Sequence, residues 1–133
     1  MVSIQLKEKC LVAFLTDLLK DLRMWYPDIP EFSQFYNMIK AFPSLAGNNI
    51  YPELSKKLIE FRESILENDL LFFMNIHPDT LIDNVDIHSS FNVQDYYTQF
   101  DLIKTVLERE DTTEDIKKVI WNYLEKMLKI VES

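Results

Sequence analysis

Glycine and cysteine are almost missing from this 133-residue chain, since each occurs only once, as Gly47 and Cys10. Tight β-hairpin turns need positive φ at low steric cost, and glycine supplies much of it, so a small β-sandwich or barrel is disfavoured. The lone glycine also excludes the phosphate-cradling loops of nucleotide-binding proteins. A lone cysteine allows no intramolecular disulfide, and its helical surroundings predict a partly buried, unreactive thiol in a reducing compartment.

Long apolar runs are missing as well. Asp17 and Asp21 interrupt the most apolar N-terminal stretch, and there is neither an 18-residue apolar segment nor a small-residue cleavage site. We therefore expect no membrane contact, no secretion signal and a cytoplasmic location.

Catalytic motifs are equally scarce. The chain has two histidines, no serine in a nucleophile elbow and no Glu-x-x-His pair of the kind that builds di-metal bundles. A zinc site would have to combine Cys10, His77 and His88, which have no paired spacing. We predict no catalytic residue, no metal and no cofactor, and we keep a small hydrolase or metal enzyme as the less favoured alternative.

One acidic stretch could hold a divalent cation in principle, because it contains His77, Asp79, Asp83, Asp86 and His88. It lacks the alternating aspartates and the glycine of an EF-hand loop. Three aspartates along one face of a short helix are commonly a solvated edge. We therefore interpret this stretch as exposed surface.

The residues that are present favour one helical core. Apolar residues make up 47% of the chain, aromatic residues 13% and charged residues 27%, a composition typical of a folded domain. We predict an all-α fold, a single-domain bundle of five to seven helices over residues 1–133. Apolar spacings of three and four residues predict helices over about 4–25, 30–41, 52–67, 70–74, 78–85, 93–110 and 113–131, with loops at 42–52 and 86–92.

Negative charge is concentrated in the middle of the chain. The net charge is −8, and residues 60–115 hold fourteen acidic residues against three basic ones. Such a surface repels a phosphate backbone, so we expect no direct nucleic-acid binding and consider a basic protein partner more favourable. An acidic balance also commonly serves only solubility.

Aromatic residues at a helix end and acidic residues of the middle region are the candidate interaction surface. Trp25 and Tyr26 stand beside a proline-containing turn, whereas we interpret Trp121 as a core residue. The candidate residues are Trp25, Tyr26, Asp79, Asp83, Asp86, Glu108, Glu110 and Asp111. Homo-oligomerisation is compatible with every functional hypothesis for this chain.

Two segments carry a family resemblance, residues 65–73 (ILENDLLFF) and residues 116–128 (IKKVIWNYLEKML). They resemble a group of small helical proteins of nucleocytoplasmic large DNA viruses, such as iridoviruses, phycodnaviruses and mimivirus relatives, over about residues 40–131. The resemblance transfers no catalytic residue. It implies a viral protein made in the host cytoplasm or carried in the virion.

These observations together predict a non-enzymatic helical protein that binds another protein, such as a viral structural or virus-factory component. The alternative is an accessory factor of viral transcription or genome handling that binds a basic polymerase or packaging subunit. In both cases the apolar pattern predicts that Phe72, Phe73, Trp121 and Leu124 join the short middle helix to the last helix.

Overall fold

The computed structural model describes residues 3–74 and 93–133 and confirms the all-α prediction. Within these ranges there are seven helices and no strand. The helices are α1 (Ile4–Trp25), α2 (Pro30–Ala41), α3 (Pro43–Glu60), α4 (Arg62–Leu66), α5 (Leu71–Met74), α6 (Val93–Glu108) and α7 (Glu114–Glu132). The helical turns predicted at 78–85, with Leu81, Ile82 and Val85 inward, and the loop predicted at 86–92 lie outside the described residues.

Helix α1 lies at the centre of the bundle and packs against α2, α3 and α7. It begins where the Ser3 hydroxyl accepts a hydrogen bond from the Leu6 N–H at 3.2 Å, an N-cap that satisfies one of the free amide groups of the first turn. Its buried stripe consists of Leu11, Val12, Leu15, Leu18, Leu19 and Leu22. The buried apolar side chains of the described residues form one continuous cluster. In these residues no helix is both long and apolar enough to cross a bilayer.

The predicted loop over residues 42–52 is wrong, because α3 begins at Pro43 and continues through it. Proline suits the first helical position, and Pro52 inside the helix removes one hydrogen bond. Gly47 is buried against α1, where an added Cβ would lie 3.4 Å from the Glu8 Cβ. Burial of one apolar stripe outweighs the low helix propensity of this segment. The stripe consists of Ala46, Ile50, Leu54 and Leu58.

The single helix predicted from residue 52 to residue 67 is interrupted at Phe61, where α3 ends and α4 begins. Helix α4 is followed by Asn68, which has a positive φ of 58°. The amide of Asn68 donates to the Ile65 carbonyl and that of Asp69 to the Ser64 carbonyl, at 3.1 and 2.7 Å. This is the Schellman arrangement of a helix C-terminus, with asparagine in the left-handed position usually taken by glycine.

Aromatic contacts hold the short helix α5 against its neighbours. The Phe72 ring lies 6.4 Å from that of Phe61 and 6.1 Å from that of Phe100 in α6. The Phe73 ring lies 5.6 Å from Trp121 in α7. Phe73 therefore joins the middle helix to Trp121 of the last helix, as predicted, whereas the ring contacts of Phe72 outside α5 are with Phe61 and Phe100.

Helices α6 and α7 follow the predicted pattern, with one difference at their junction. Helix α6 ends at Glu108 rather than at residue 110. Thr113 caps α7, because its hydroxyl accepts from the Ile116 N–H at 3.2 Å. Thr112, which precedes the cap, is buried.

Candidate protein-interaction surface

Three of the acidic residues predicted for the interaction surface, Asp79, Asp83 and Asp86, lie outside the described residues. His77 and His88 lie outside them as well. In residues 3–74 and 93–133 no group of three or more histidine, cysteine or acidic side chains could hold a metal ion. The remaining predicted residues fall around the end of α1 and the connection between α6 and α7.

Of the two aromatic candidates, Tyr26 is in the core and Trp25 is only partly buried against it. Tyr26 is 4% exposed, and its hydroxyl lies 2.6 Å from the Thr112 hydroxyl. Thr112 donates its one hydrogen to the Val106 carbonyl at 2.6 Å, so Tyr26 is the donor to Thr112. The hydroxyl of Tyr26 therefore joins α1 to the α6–α7 connection and is not offered to a partner.

Arg109 binds the predicted residue Asp111 and places it next to Tyr26 at the end of α1. Its Nε and Nη2 donate to the two carboxylate oxygens of Asp111 at 2.9 and 2.7 Å. Its Nη1 donates to Asp28 at 3.1 Å, and the guanidinium carbon lies 4.9 Å from the centre of the Tyr26 ring. We call Tyr26, Asp28, Arg109, Asp111 and Thr112 the Arg109 cluster. Its polar groups bind one another, as expected of a group that fixes a chain connection.

The electrostatics of the Arg109 cluster agree with its geometry. The hydrogen bonds from Arg109 hold the pKa of the Asp111 carboxyl below its ordinary value, and the positive charge of Arg109 acts in the same direction. The pKa of Arg109 is raised, chiefly by its hydrogen bond with Asp111. The other two predicted residues, Glu108 and Glu110, flank Arg109 in sequence and are exposed.

A second surface was not predicted from the sequence, and it carries large exposed apolar side chains. Ile59 at the end of α3 is 52% exposed, Leu66 of α4 44%, and Leu71 and Met74 of α5 43% and 54%. Ile59 and Leu71 border one open groove of about 460 Å³. Met74 lies one turn beyond Leu71 on α5, so the two side chains share a face.

Acidic side chains surround these apolar groups. Glu60 and Glu63 line the groove that Ile59 and Leu71 border. Leu66 follows Glu63 by three residues on α4 and so lies on the same side of that helix. We call the following residues together the α3–α5 surface: Ile59, Glu60, Glu63, Leu66, Glu67, Asp69, Leu71 and Met74.

Two cations near the α3–α5 surface have carboxylate partners. Arg62 Nε lies 3.1 Å from Glu132 of α7, and Lys57 Nζ lies 3.7 Å from Glu60. The Asp69 carboxylate accepts from the Leu71 amide at 3.1 Å and thereby orients the start of α5. The surface is therefore apolar in its middle and negative at its border.

Other grooves have a different character. One of about 550 Å³ lies between α1 and α3, and a neighbouring one of about 380 Å³ lies between α1 and α2. Both mix the two signs of charge, through Glu8, Lys9, Asp17 and Lys40. Neither combines an apolar centre with a border of one charge sign.

Perturbed tyrosines do not supply a nucleophile or a base. Burial, with a smaller contribution from Glu53, raises the pKa of Tyr97 to about 12. Burial, followed by the hydrogen bond to Asp21, raises the pKa of Tyr123 to about 12. Both hydroxyls stay protonated at neutral pH, whereas an activated catalytic group needs a pKa near the working pH.

Comparison of the chain with protein-family models, with curated proteins and with solved structures found no match. The resemblance to viral helical proteins therefore stays a prediction. The α3–α5 surface could have been noticed from adjacent apolar pairs, such as Leu58 with Ile59 and Ile65 with Leu66. In each of these two pairs the first residue is buried and the second is exposed.

Proposed function

We propose that this chain is a non-enzymatic protein-interaction domain that binds a partner protein through the α3–α5 surface. The observation that carries the proposal is the exposure of four large apolar side chains on consecutive helices, Ile59, Leu66, Leu71 and Met74. Ile59 and Leu71 line one groove. Exposed apolar patches with polar borders are typical of protein-binding sites. Phe72 and Phe73 of α5 are buried and pack against each other, so the exposed side chains of α5 belong to a helix that is packed on its other face.

A pair of matched double variants tests this proposal. The Ile59→Ser/Met74→Ser variant removes apolar area from the α3–α5 surface, and Ile4→Ser/Met24→Ser removes the same two side-chain types elsewhere. Ile4 and Met24 are 62% and 66% exposed, so neither change opens the core. We expect wild type and control to co-purify a stoichiometric partner from the cells that produce the chain, and the surface variant to recover about tenfold less.

Thermal unfolding of both variants checks that the fold is kept. Equal recovery of the partner with the two variants would exclude the α3–α5 surface. Purification of the wild-type chain as a monomer without any partner would overturn the proposed function itself.

The acidic border favours a second, narrower function. A partner with a basic surface, such as a polymerase or genome-packaging subunit, would be attracted to the α3–α5 surface, and a nucleic acid would be repelled. Mass spectrometry of the co-purified partner separates this accessory role from a structural role in a virion or virus factory. A partner without basic segments would exclude the accessory role.

A further inference from the structure

We infer that the occupant of the α3–α5 surface is a basic amphipathic helix of the partner protein. The inference rests on the proposed function and adds the chemistry of the bound segment. The shape of the surface is the first argument. Its groove runs along the end of α3 and the start of α4 to Leu71 of α5, and it is open to solvent. An amphipathic helix binds such a groove by placing its apolar side chains on the apolar centre.

The negative charge around the α3–α5 surface indicates which side chains the polar face of the bound helix carries. Glu60, Glu63, Glu67 and Asp69 border the apolar centre, and they are exposed. Of the neighbouring cations, Arg62 is held by Glu132 and Lys57 lies 3.7 Å from Glu60, so these four carboxylates keep an excess of negative charge. A bound helix with lysine or arginine on both sides of its apolar stripe would therefore be attracted to the border.

The same charges argue against a second copy of this chain as the occupant. A symmetric dimer places each surface patch against its own image, so the acidic border of one copy would meet that of the other. Like charges in such a contact repel. A short segment is enough for such a contact, since a helix of roughly three to four turns can place apolar side chains at i, i+3 or i+4 and i+7.

A designed peptide tests the inference directly. The probe is a fluorescein-labelled helix of about 16 residues with leucines on one face and lysines at both edges. A second peptide of the same composition has its leucines scattered around the helix. Fluorescence anisotropy measures the affinity of both peptides for the whole chain at low and physiological salt. We expect the amphipathic peptide to bind at least about tenfold more tightly than the scattered one.

Two charge variants with equal net charge locate the binding. Glu60→Gln/Glu63→Gln/Glu67→Gln removes three of the four border carboxylates, and Asp101→Asn/Glu108→Gln/Glu110→Gln removes three exposed acids of α6 and its connection to α7. We expect the border variant to weaken binding about tenfold and to reduce the salt dependence, and the other variant to change affinity less than about twofold. Ile59→Ser/Met74→Ser should also weaken binding about tenfold.

Several outcomes would overturn the inference. Equal weakening by the two charge variants, or equal binding of the two peptides, would mean that the peptide responds only to overall charge. A dimer that Ile59→Ser/Met74→Ser dissociates would identify a second copy as the occupant. If the peptide does not bind although recovery of the natural partner depends on Ile59 and Met74, the inference fails and the proposed function stands. If neither depends on these residues, both fail.

Discussion

The α6–α7 connection and the α3–α5 surface both belong to the acidic stretch between residues 60 and 115, yet their carboxylates have different surroundings. In the connection, Asp111 receives two hydrogen bonds from Arg109, and the same guanidinium reaches Asp28 of the α1–α2 turn. On the α3–α5 surface, Glu60 and Glu63 border exposed apolar side chains.

This difference shows that a count of charges does not locate a binding surface. Arg109 makes Asp111 and Asp28 part of the fold, because it donates two hydrogen bonds to Asp111 and one to Asp28. The α3–α5 surface has Arg62, but that side chain turns toward Glu132 of α7. The acidic residues that remain around apolar groups are the ones with affinity left for a basic partner.

Substitutions on the buried and the exposed side of α5 should differ most in their effect on the free energy of unfolding. Phe72 is fully buried and contacts three aromatic rings. We expect Phe72→Ala to lower the free energy of unfolding by about 3 to 5 kcal/mol, because it leaves a cavity. Met74→Ala should lower it by less than about 1 kcal/mol. Urea denaturation measures both, and similar losses would mean that α5 has no distinct exposed face.

A smaller loss is expected in the α6–α7 connection. Thr112→Val removes the hydroxyl that donates to the Val106 carbonyl and accepts from Tyr26. Because the Val106 carbonyl and the Tyr26 hydroxyl lose their hydrogen-bond partner, we expect the free energy of unfolding to fall by about 1 to 3 kcal/mol. Partner recovery should not change. The double variant with Tyr26→Phe should cost less than the sum of the single changes, and full additivity would contradict the shared hydrogen bond.

The turn that leads into the α3–α5 surface gives a more modest effect. Asn68 has φ of 58°, where a Cβ-bearing residue without a short polar side chain is strained. We expect Asn68→Ala to destabilise the protein by about 1 to 2 kcal/mol. Asn68→Gly should lie within about 0.5 kcal/mol of wild type. The pair is compared by urea denaturation, and a destabilising glycine together with a neutral alanine would contradict the left-handed conformation.

The smallest effect concerns the ionisation of Asp111. Its depressed pKa means that the folded state favours the carboxylate, so the associated stability is present above the unfolded-state pKa and is lost as pH falls through the folded-state value. An NMR titration of the side-chain carboxyl should place the Asp111 midpoint below the usual aspartate range in wild type. Arg109→Gln should return it toward that range. An unchanged midpoint in the variant would contradict the role assigned to Arg109.

The sequence predicts the elements with strong apolar periodicity and misses those decided by packing. Helices α1 and α7 follow directly from residues at three- and four-residue spacing, and their caps are short local signals. The start of α3 could not be predicted in this way, because Gly47 and Pro52 indicate a loop locally, whereas burial against α1 makes the segment helical.

The candidate surfaces show the same limit. The sequence singled out Tyr26 from its position at a helix end, but its partners Thr112 and Arg109 lie more than eighty residues away. Which residue of the apolar pair Ile65 and Leu66 is exposed depends on how α4 is rotated about its axis where it packs against α7. Such long-range relations have no local signature.

Chemical-shift mapping shows which residues of the chain contact a bound basic helix. The ¹⁵N-labelled chain is titrated with the amphipathic lysine–leucine peptide, and amide shifts are followed residue by residue. We expect the largest amide chemical-shift changes within residues 59–74, and we expect these changes to be lost in the Ile59→Ser/Met74→Ser variant. The largest shifts at residues 108–111, or along the groove between α1 and α3, would contradict this expectation.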